Sequence, residues 1–233
     1  MKKQILLILA THGDEKIGLE TVKILENCSL EKYFDILIAN PKACKNNKRF
    51  IDVDLNRSYP GNLKSDKYEQ KIAAENLLVA KKYKYVIDIH EASQGTDDFI
   101  IVPRKELSKQ FPLKYINLET VLLWPDPRGP LGQVLKNAVE LEFGSKNRNR
   151  NMMANKCAMI LDNFIKNVYG LPQGKIKPTQ KIFYVYDKLS ADKTKQKLID
   201  FKKIKIKKEE FYPLLTNQYL MEGIVCYKMK KIK

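Results

Sequence analysis

Ile5-Leu6-Leu7-Ile8-Leu9-Ala10-Thr11-His12-Gly13-Asp14-Glu15 decides how this chain folds. Its apolar residues form a run of strand length without alternation, as in a strand buried on both faces of a largely parallel sheet. The run then breaks at once into a histidine, a glycine and two carboxylates. A second apolar run, Tyr85-Val86-Ile87-Asp88-Ile89-His90, also closes on a histidine, and the chain has only 2 histidines in 233 residues. In open α/β sheets ligands gather beyond the carboxyl ends of strands, so His12, Glu15 and His90 are expected at one rim. Two imidazoles and one carboxylate are the mixture of catalytic zinc sites that keep a further position open for water. A spacing of three in His12-x-x-Glu15 lets both side chains reach one ion from a tight turn, and Gly13 removes a side chain where the backbone bends. That spacing is common by chance; its place after a strand, with the other histidine at another strand end, gives it weight.

Working outward, apolar runs alternate with helix-like stretches, the pattern of an α/β fold: a mixed, largely parallel sheet flanked by helices. Strands are expected at 4–10, 35–39, 84–89, 98–102 and 138–143, and helices at 17–27, 66–82 and 151–168. The helix at 66–82 puts Ile72, Ala73, Leu77 and Ala80 near one face, with Asp66 as N-cap and Glu69 completing a capping-box-like pair. Gly170-Leu171-Pro172-Gln173-Gly174 marks a boundary between a main domain, 1–170, and a small β-rich domain, 171–233. Strands of the latter are expected at 181–186, 204–206 and 223–227.

Hydrophobic residues at 44% and charged residues at 30% describe a globular chain, not a disordered one. The formal charge of +16 comes mostly from lysine, thickest at 201–208 and 228–231, and is read as a solvated surface. No RNA-binding or helix-turn-helix signature accompanies it, so nucleic acid is not the expected partner, whereas steering of small acidic molecules is compatible with it. Cys28, Cys44, Cys157 and Cys226 are scattered, without the spacing of a disulfide framework or zinc knuckle. The apolar run after Met1-Lys2-Lys3 is too short for a secretory signal, and no later run reaches membrane-spanning length. A cytoplasmic protein without a membrane partner is the expectation.

Three further groups carry chemistry. Asp88 shares a strand face with His90, where it can fix the imidazole tautomer or cap the following loop. Glu140 and Glu142 lie inside an apolar run on one strand face, and the position nearer the carboxyl end favours Glu142 as the proton-transferring base of a metal hydrolase. In Arg49-Phe50-Ile51-Asp52-Val53-Asp54-Leu55-Asn56-Arg57-Ser58-Tyr59-Pro60-Gly61, Arg49 and Arg57 flank an asparagine in a loop ahead of a helix. Their planar forks of donors suit a carbonyl oxygen and a carboxylate.

Together these residues resemble the succinylglutamate desuccinylase and aspartoacylase family, relatives of the zinc carboxypeptidases. Arg49 to Arg57 matches its Arg-aromatic-x-Asp-x-Asp-(Leu/Met)-Asn-Arg signature, Asn40-Pro41-Lys42-Ala43 its Asn-Pro-x-Ala element, and Thr11 to Glu15 its His-Gly-(Asn/Asp)-Glu element. Asp88-Ile89-His90 and Glu142-Phe143-Gly144 match its Asp-x-His and Glu-x-Gly elements in the same order. Leu9-Ala10 stands where the family often has Gly-Gly, and Ser58 to Gly61 looks more like less-characterised, peptidase-like members. The resemblance implies a carboxypeptidase-like sheet, one zinc on His12, Glu15 and His90, and Glu142 as general base and then acid. It also implies that Arg49 stabilises the oxyanion, that Asn56 and Arg57 bind a substrate carboxylate, and that the C-terminal unit caps the mouth. A further carboxylate-binding arginine is implied among Arg104, Arg128, Arg148 and Arg150.

The expected function is zinc-dependent deacylation of a small anionic N-acyl amino acid. A metallocarboxypeptidase acting on short peptides or cell-wall fragments would use the same site, with Arg57 holding the C-terminal carboxylate. A basic polyanion-binding protein with a vestigial metal site is the alternative from another class.

Overall fold

β1 (Ile5–Leu9) is apolar at every position because both of its faces are covered. Ile5, Leu7 and Leu9 pack with α1 (Ile17–Asn27) and the long helix α5 (Arg150–Tyr169), while Leu6 and Ile8 pack with α3 (Tyr68–Ala80) and α4 (Leu131–Val134). The computed structural model describes residues 2–92, 96–103, 111–125, 129–144, 148–172, 179–190 and 196–232. Within them, β2 (Phe34–Ile38) and β3 (Tyr85–Ala92) flank β1 in parallel, and β6 (Ala138–Gly144) follows β3 in parallel. The sheet then turns mixed: β4 (Phe99–Val102) runs antiparallel to β6, and β5 (Thr120–Leu123) parallel to β4.

The C-terminal strands extend this same sheet. β7 (Lys181–Ser190) pairs in parallel with β5, then β10 (Ile224–Lys231), β9 (Glu209–Leu214) and β8 (Ile204–Ile206) follow antiparallel, giving the order β2-β1-β3-β6-β4-β5-β7-β10-β9-β8. The fold is the expected α/β class, a mixed, largely parallel sheet between helices with a C-terminal β region. α5 ends at Gly170 in the left-handed conformation, a common helix stop; Gln173 and Gly174 lie outside the described residues.

Two expectations change. α3 begins at Tyr68, with Lys67 at the N-cap position and no side-chain cap on that residue. Glu69 does not reach back to Asp66: its carboxylate is fully buried and accepts from Asn40 and the backbone of residues 51–53, because a whole loop of donors competes with one local N–H. Lys228, read as part of a solvated lysine face, is buried and held by Asp187 at 2.6 Å and Glu209 at 3.0 Å. Opposite charges on neighbouring strands supplied the partners that burial of a lysine demands. Among the described residues the cysteines are free, and no helix is long and apolar enough to cross a membrane.

Candidate active site

β1 ends at Leu9, and Ala10 then turns with φ of 53°, a left-handed conformation that an L residue adopts at a cost of about 1 kcal/mol. This is one of the positions where the sequence departs from a glycine pair. The turn sends Thr11 back toward Asp88, with Oγ1 3.0 Å from each carboxylate oxygen. It also throws His12 over the strand ends. Gly13 then passes the short helix α2 (Pro41–Lys45) so closely that a Cβ would lie 2.1 Å from the Ala43 carbonyl carbon. The asparagine of the Asn-Pro-x-Ala element thus has a physical reason: Asn40 caps α2 by accepting from the Ala43 N–H at 3.2 Å, which holds the backbone of residues 43 and 44 against Gly13.

His12, Glu15 and His90 converge, with one ligand atom from each lying within 4.8 Å of the others. His12 Nδ1 is 2.6 Å from Glu15 Oε1, and His90 Nδ1 is 3.1 Å from Glu15 Oε2. On the far side of each ring, His12 Nε2 is hydrogen-bonded to Asp54 at 3.1 Å, whereas His90 Nε2 has Asp88 Oδ2 3.2 Å away as a charge contact, without a hydrogen bond. Carboxylate backing of this kind fixes ring orientation and raises ligand basicity. Asp88 was read from the sequence, whereas Asp54 was not, although it stands inside the quoted arginine loop. Its signal is the Asp-x-Asp of that loop.

Register explains the neighbouring acids. β3 and β6 pair His90 with Glu142 and Asp88 with Glu140, so all four side chains project from one face of adjacent strands. Glu142 is half-buried in the wall of the cleft, while Glu140 lies one step deeper, 4% exposed, within 3.4 Å of Asn56 Nδ2. Burial raises both carboxyl groups above their usual range. For Glu142, His90 opposes this while Glu15 and Glu140 reinforce it, leaving a pKa of about 7. Burial disfavours the charge of Glu15 too, but His12 and His90 outweigh it and hold Glu15 well below the ordinary carboxylate value. The same pairing overrides the burial that would lower His12, and with the hydrogen bond to Asp54 it raises the imidazole to about 9.

His12, Glu15, Glu140 and Glu142 line a cleft of about 620 Å³. Arg49 and Arg57 line it as well: Arg49 Nη1 is 3.2 Å from Glu15 Oε1, and Arg57 Nη1 donates to the Asn56 carbonyl at 2.9 Å. Asn56 Oδ1 and Glu140 Oε1 are buried acceptors without a hydrogen-bond partner among the described residues. Of the arginines weighed for the cleft, Arg150 lines it, with Nε 2.9 Å from Glu91 Oε2 and Nη2 3.0 Å from Oε1. Arg148 is turned to Asp98, Nη1 donating at 2.7 Å, and Arg104 and Arg128 lie outside the described residues. The opposite wall was not legible. Ile101, Trp124, Leu215 and Tyr219 come from distant segments, and Tyr219 approaches Glu142 closely enough that burial and that negative charge together raise its phenol to about 12.

A family model of the succinylglutamate desuccinylase/aspartoacylase catalytic domain matches residues 1–168. A probable aspartoacylase of Acaryochloris marina (strain MBIC 11017) is 40% identical over 62 residues, 24% of this chain and 21% of that protein. An N-acyl-aromatic-L-amino acid amidohydrolase (carboxylate-forming) of Xenopus laevis is 34% identical over 117 residues, 42% of this chain and 37% of that protein. The matched part therefore spans well under half the length of these curated relatives. Among solved structures, the succinylglutamate desuccinylase of Chromobacterium violaceum superposes with a TM-score of 0.76 at 18% identity, covering 99% of this chain and 85% of that one. Murine aminoacylase 3 gives 0.72 at 20% identity, with 99% and 95% covered. At such identities the structural likeness speaks for the fold, and the match over residues 1–168 speaks for descent: the chain belongs to the succinylglutamate desuccinylase/aspartoacylase family.

Proposed function

We propose that the chain is a zinc-dependent amidohydrolase that cleaves the amide bond of a small anionic N-acyl amino acid, releasing a carboxylate and an amine. The observation that carries this reading is the convergence of His12, Glu15 and His90 at a cleft that His12 and Glu15 line together with Glu142, Arg49 and Arg57. The donor set suits zinc: two imidazole Nδ1 atoms and a carboxylate face one point, and each far Nε2 has a carboxylate behind it. Zinc held there would polarise the amide carbonyl and acidify the attacking water.

The remaining work falls to the side chains. Glu142 takes a proton from the attacking water and returns it to the leaving nitrogen, and its pKa of about 7 suits a group that must do both near neutrality. Arg49 leaves Glu15 to donate to the carbonyl oxygen as charge builds on it, while Asn56 and Arg57 hold the substrate carboxylate by directed donors. Arg150 lines the same cleft with two nitrogens engaged by Glu91. Ile101, Trp124 and Leu215 offer the apolar part of the substrate a wall.

A substrate panel tests the reading. Zinc-loaded protein is expected to hydrolyse N-acetyl or N-succinyl amino acids faster than dipeptides or cell-wall peptides with a free C-terminal carboxylate. Turnover of the peptides alone would make the chain a carboxypeptidase. Hydrolysis of neither, with salt-dependent binding of nucleic acid, would point to the polyanion reading.

The protonation of the site adds a second expectation. Without metal, Glu15 is balanced by protons on His12 and His90, both held above the ordinary imidazole value against the effect of burial. A divalent cation must displace those protons. His12 is charged below about 9, so metal uptake releases protons throughout the neutral range and strengthens as pH rises toward that value. Apparent zinc affinity is expected to rise about tenfold per pH unit for each proton displaced. Chelator competition at pH 6, 7 and 8 measures this, and an affinity independent of pH would remove the imidazoles from the ligand set.

A further inference from the structure

Between the cleft and α3 lies a reciprocal set of hydrogen bonds that the reaction does not use. Glu69, in the first turn of α3, is fully buried, and its two oxygens accept four hydrogen bonds. Oε1 takes the Ile51 N–H at 2.7 Å and Asn40 Nδ2 at 3.1 Å, while Oε2 takes the Asp52 N–H at 2.9 Å and the Val53 N–H at 3.1 Å. In return, Asp52 Oδ2 accepts the Tyr68 N–H at the start of α3, at 2.7 Å. This is the exchange of a capping box, except that the capping residue comes from a distant loop. On one side of the fixed backbone is Arg49, whose carbonyl accepts the Gly13 N–H at 3.1 Å; on the other are Asp54, Asn56 and Arg57.

We infer that Asp52 and Glu69 form a clamp that positions the Arg49–Arg57 loop over the cleft. Both are positioning residues, since neither lines the cleft itself. The clamp explains two acidic positions that metal chemistry leaves idle, and it ties the loop to the same Asn40 that caps α2 behind Gly13. Its kinetic consequence rests on the hydrolytic reading; its structural consequence does not.

The chemistry predicts an asymmetry between two near-isosteric changes. Glu69→Gln replaces one acceptor oxygen with a donor NH2, so in either amide orientation two of the four donors lose their partner. Asp52→Asn keeps an oxygen for the Tyr68 N–H and should resemble the wild type, whereas Asp52→Ala should not. Amide exchange followed by NMR is expected to quicken at least tenfold at residues 51–53 in Glu69→Gln, and to a smaller degree in Asp52→Ala. Zinc content and far-ultraviolet circular dichroism stay unchanged. With N-acetyl-L-aspartate and N-acetyl-L-phenylalanine as substrates, KM should rise at least tenfold in Glu69→Gln, because the carboxylate-binding loop is displaced. A folded Glu69→Gln protein with wild-type exchange and KM would overturn the clamp. If that variant fails to fold, Asp52→Ala, at an exposed position, carries the same two readouts. If the wild type hydrolyses neither compound, the hydrolytic reading fails while the exchange measurement still decides the clamp.

Discussion

Glu142→Gln is expected to lower amide hydrolysis by about three orders of magnitude, within the range that a single general acid–base group supplies. The substitution keeps shape and volume, so the cleft and the metal ligands stay in place, and metal content should match the wild type. Only the capacity to take and return a proton is lost. The same change should not weaken the fold. Burial holds the Glu142 pKa at about 7 in the folded protein, above its ordinary 4.5. Ionising such a group costs folded-state stability: the cost is absent below the unfolded value and complete above the folded one. At pH 8 the amide removes that cost, so thermal denaturation should show a Tm equal to or above the wild type. An inactive variant with a lower Tm and less metal would mean that Glu142 is structural, and unchanged turnover would remove it from the mechanism.

His90→Ala should have the second large effect, on metal. His90 is 1% exposed, between Glu15 and Asp88. Losing it takes away one of the three proposed ligands and leaves two buried carboxylates facing an empty space. Elemental analysis is expected to fall from one zinc per chain to below about a tenth. Chemical denaturation should show a loss of about 3 kcal/mol, the scale seen when one partner of a buried charge pair is removed. A full zinc complement in the folded variant would count against the proposed ligand set. Glu142→Gln and His90→Ala therefore separate proton transfer from metal retention.

What could be read from the chain, and what could not, follows from the reach of each interaction. β1, β3 and β6 announce themselves because strands covered on both faces must be apolar throughout, and a polar residue inside one, such as Asp88 or Glu142, then stands out. His12 and His90 stand out for the same reason, at the ends of such runs. The arginine loop was legible as a motif, but the job of each residue in it was not. Asp54 backs His12 across 42 positions, and Glu69 receives Asn40 across 29, so no local pattern reveals either pairing. Local reasoning instead assigned Glu69 to its own helix end. The wall carrying Trp124, Leu215 and Tyr219 was hidden because its residues meet only after the C-terminal strands join the edge of the sheet. Lys228 looked like one more solvated lysine because Asp187 and Glu209 reach it only through the pairing of β10 with β7 and β9.

Metal-dependent amide hydrolysis at His12, Glu15 and His90 is the central proposal. Its most direct test is to strip the purified protein with a chelator, measure hydrolysis of N-acyl amino acids, and reload with one equivalent of zinc. Stripped protein is expected to be inactive, with activity returning in proportion to zinc bound and saturating at one per chain. Full hydrolysis by the metal-free protein would contradict that proposal.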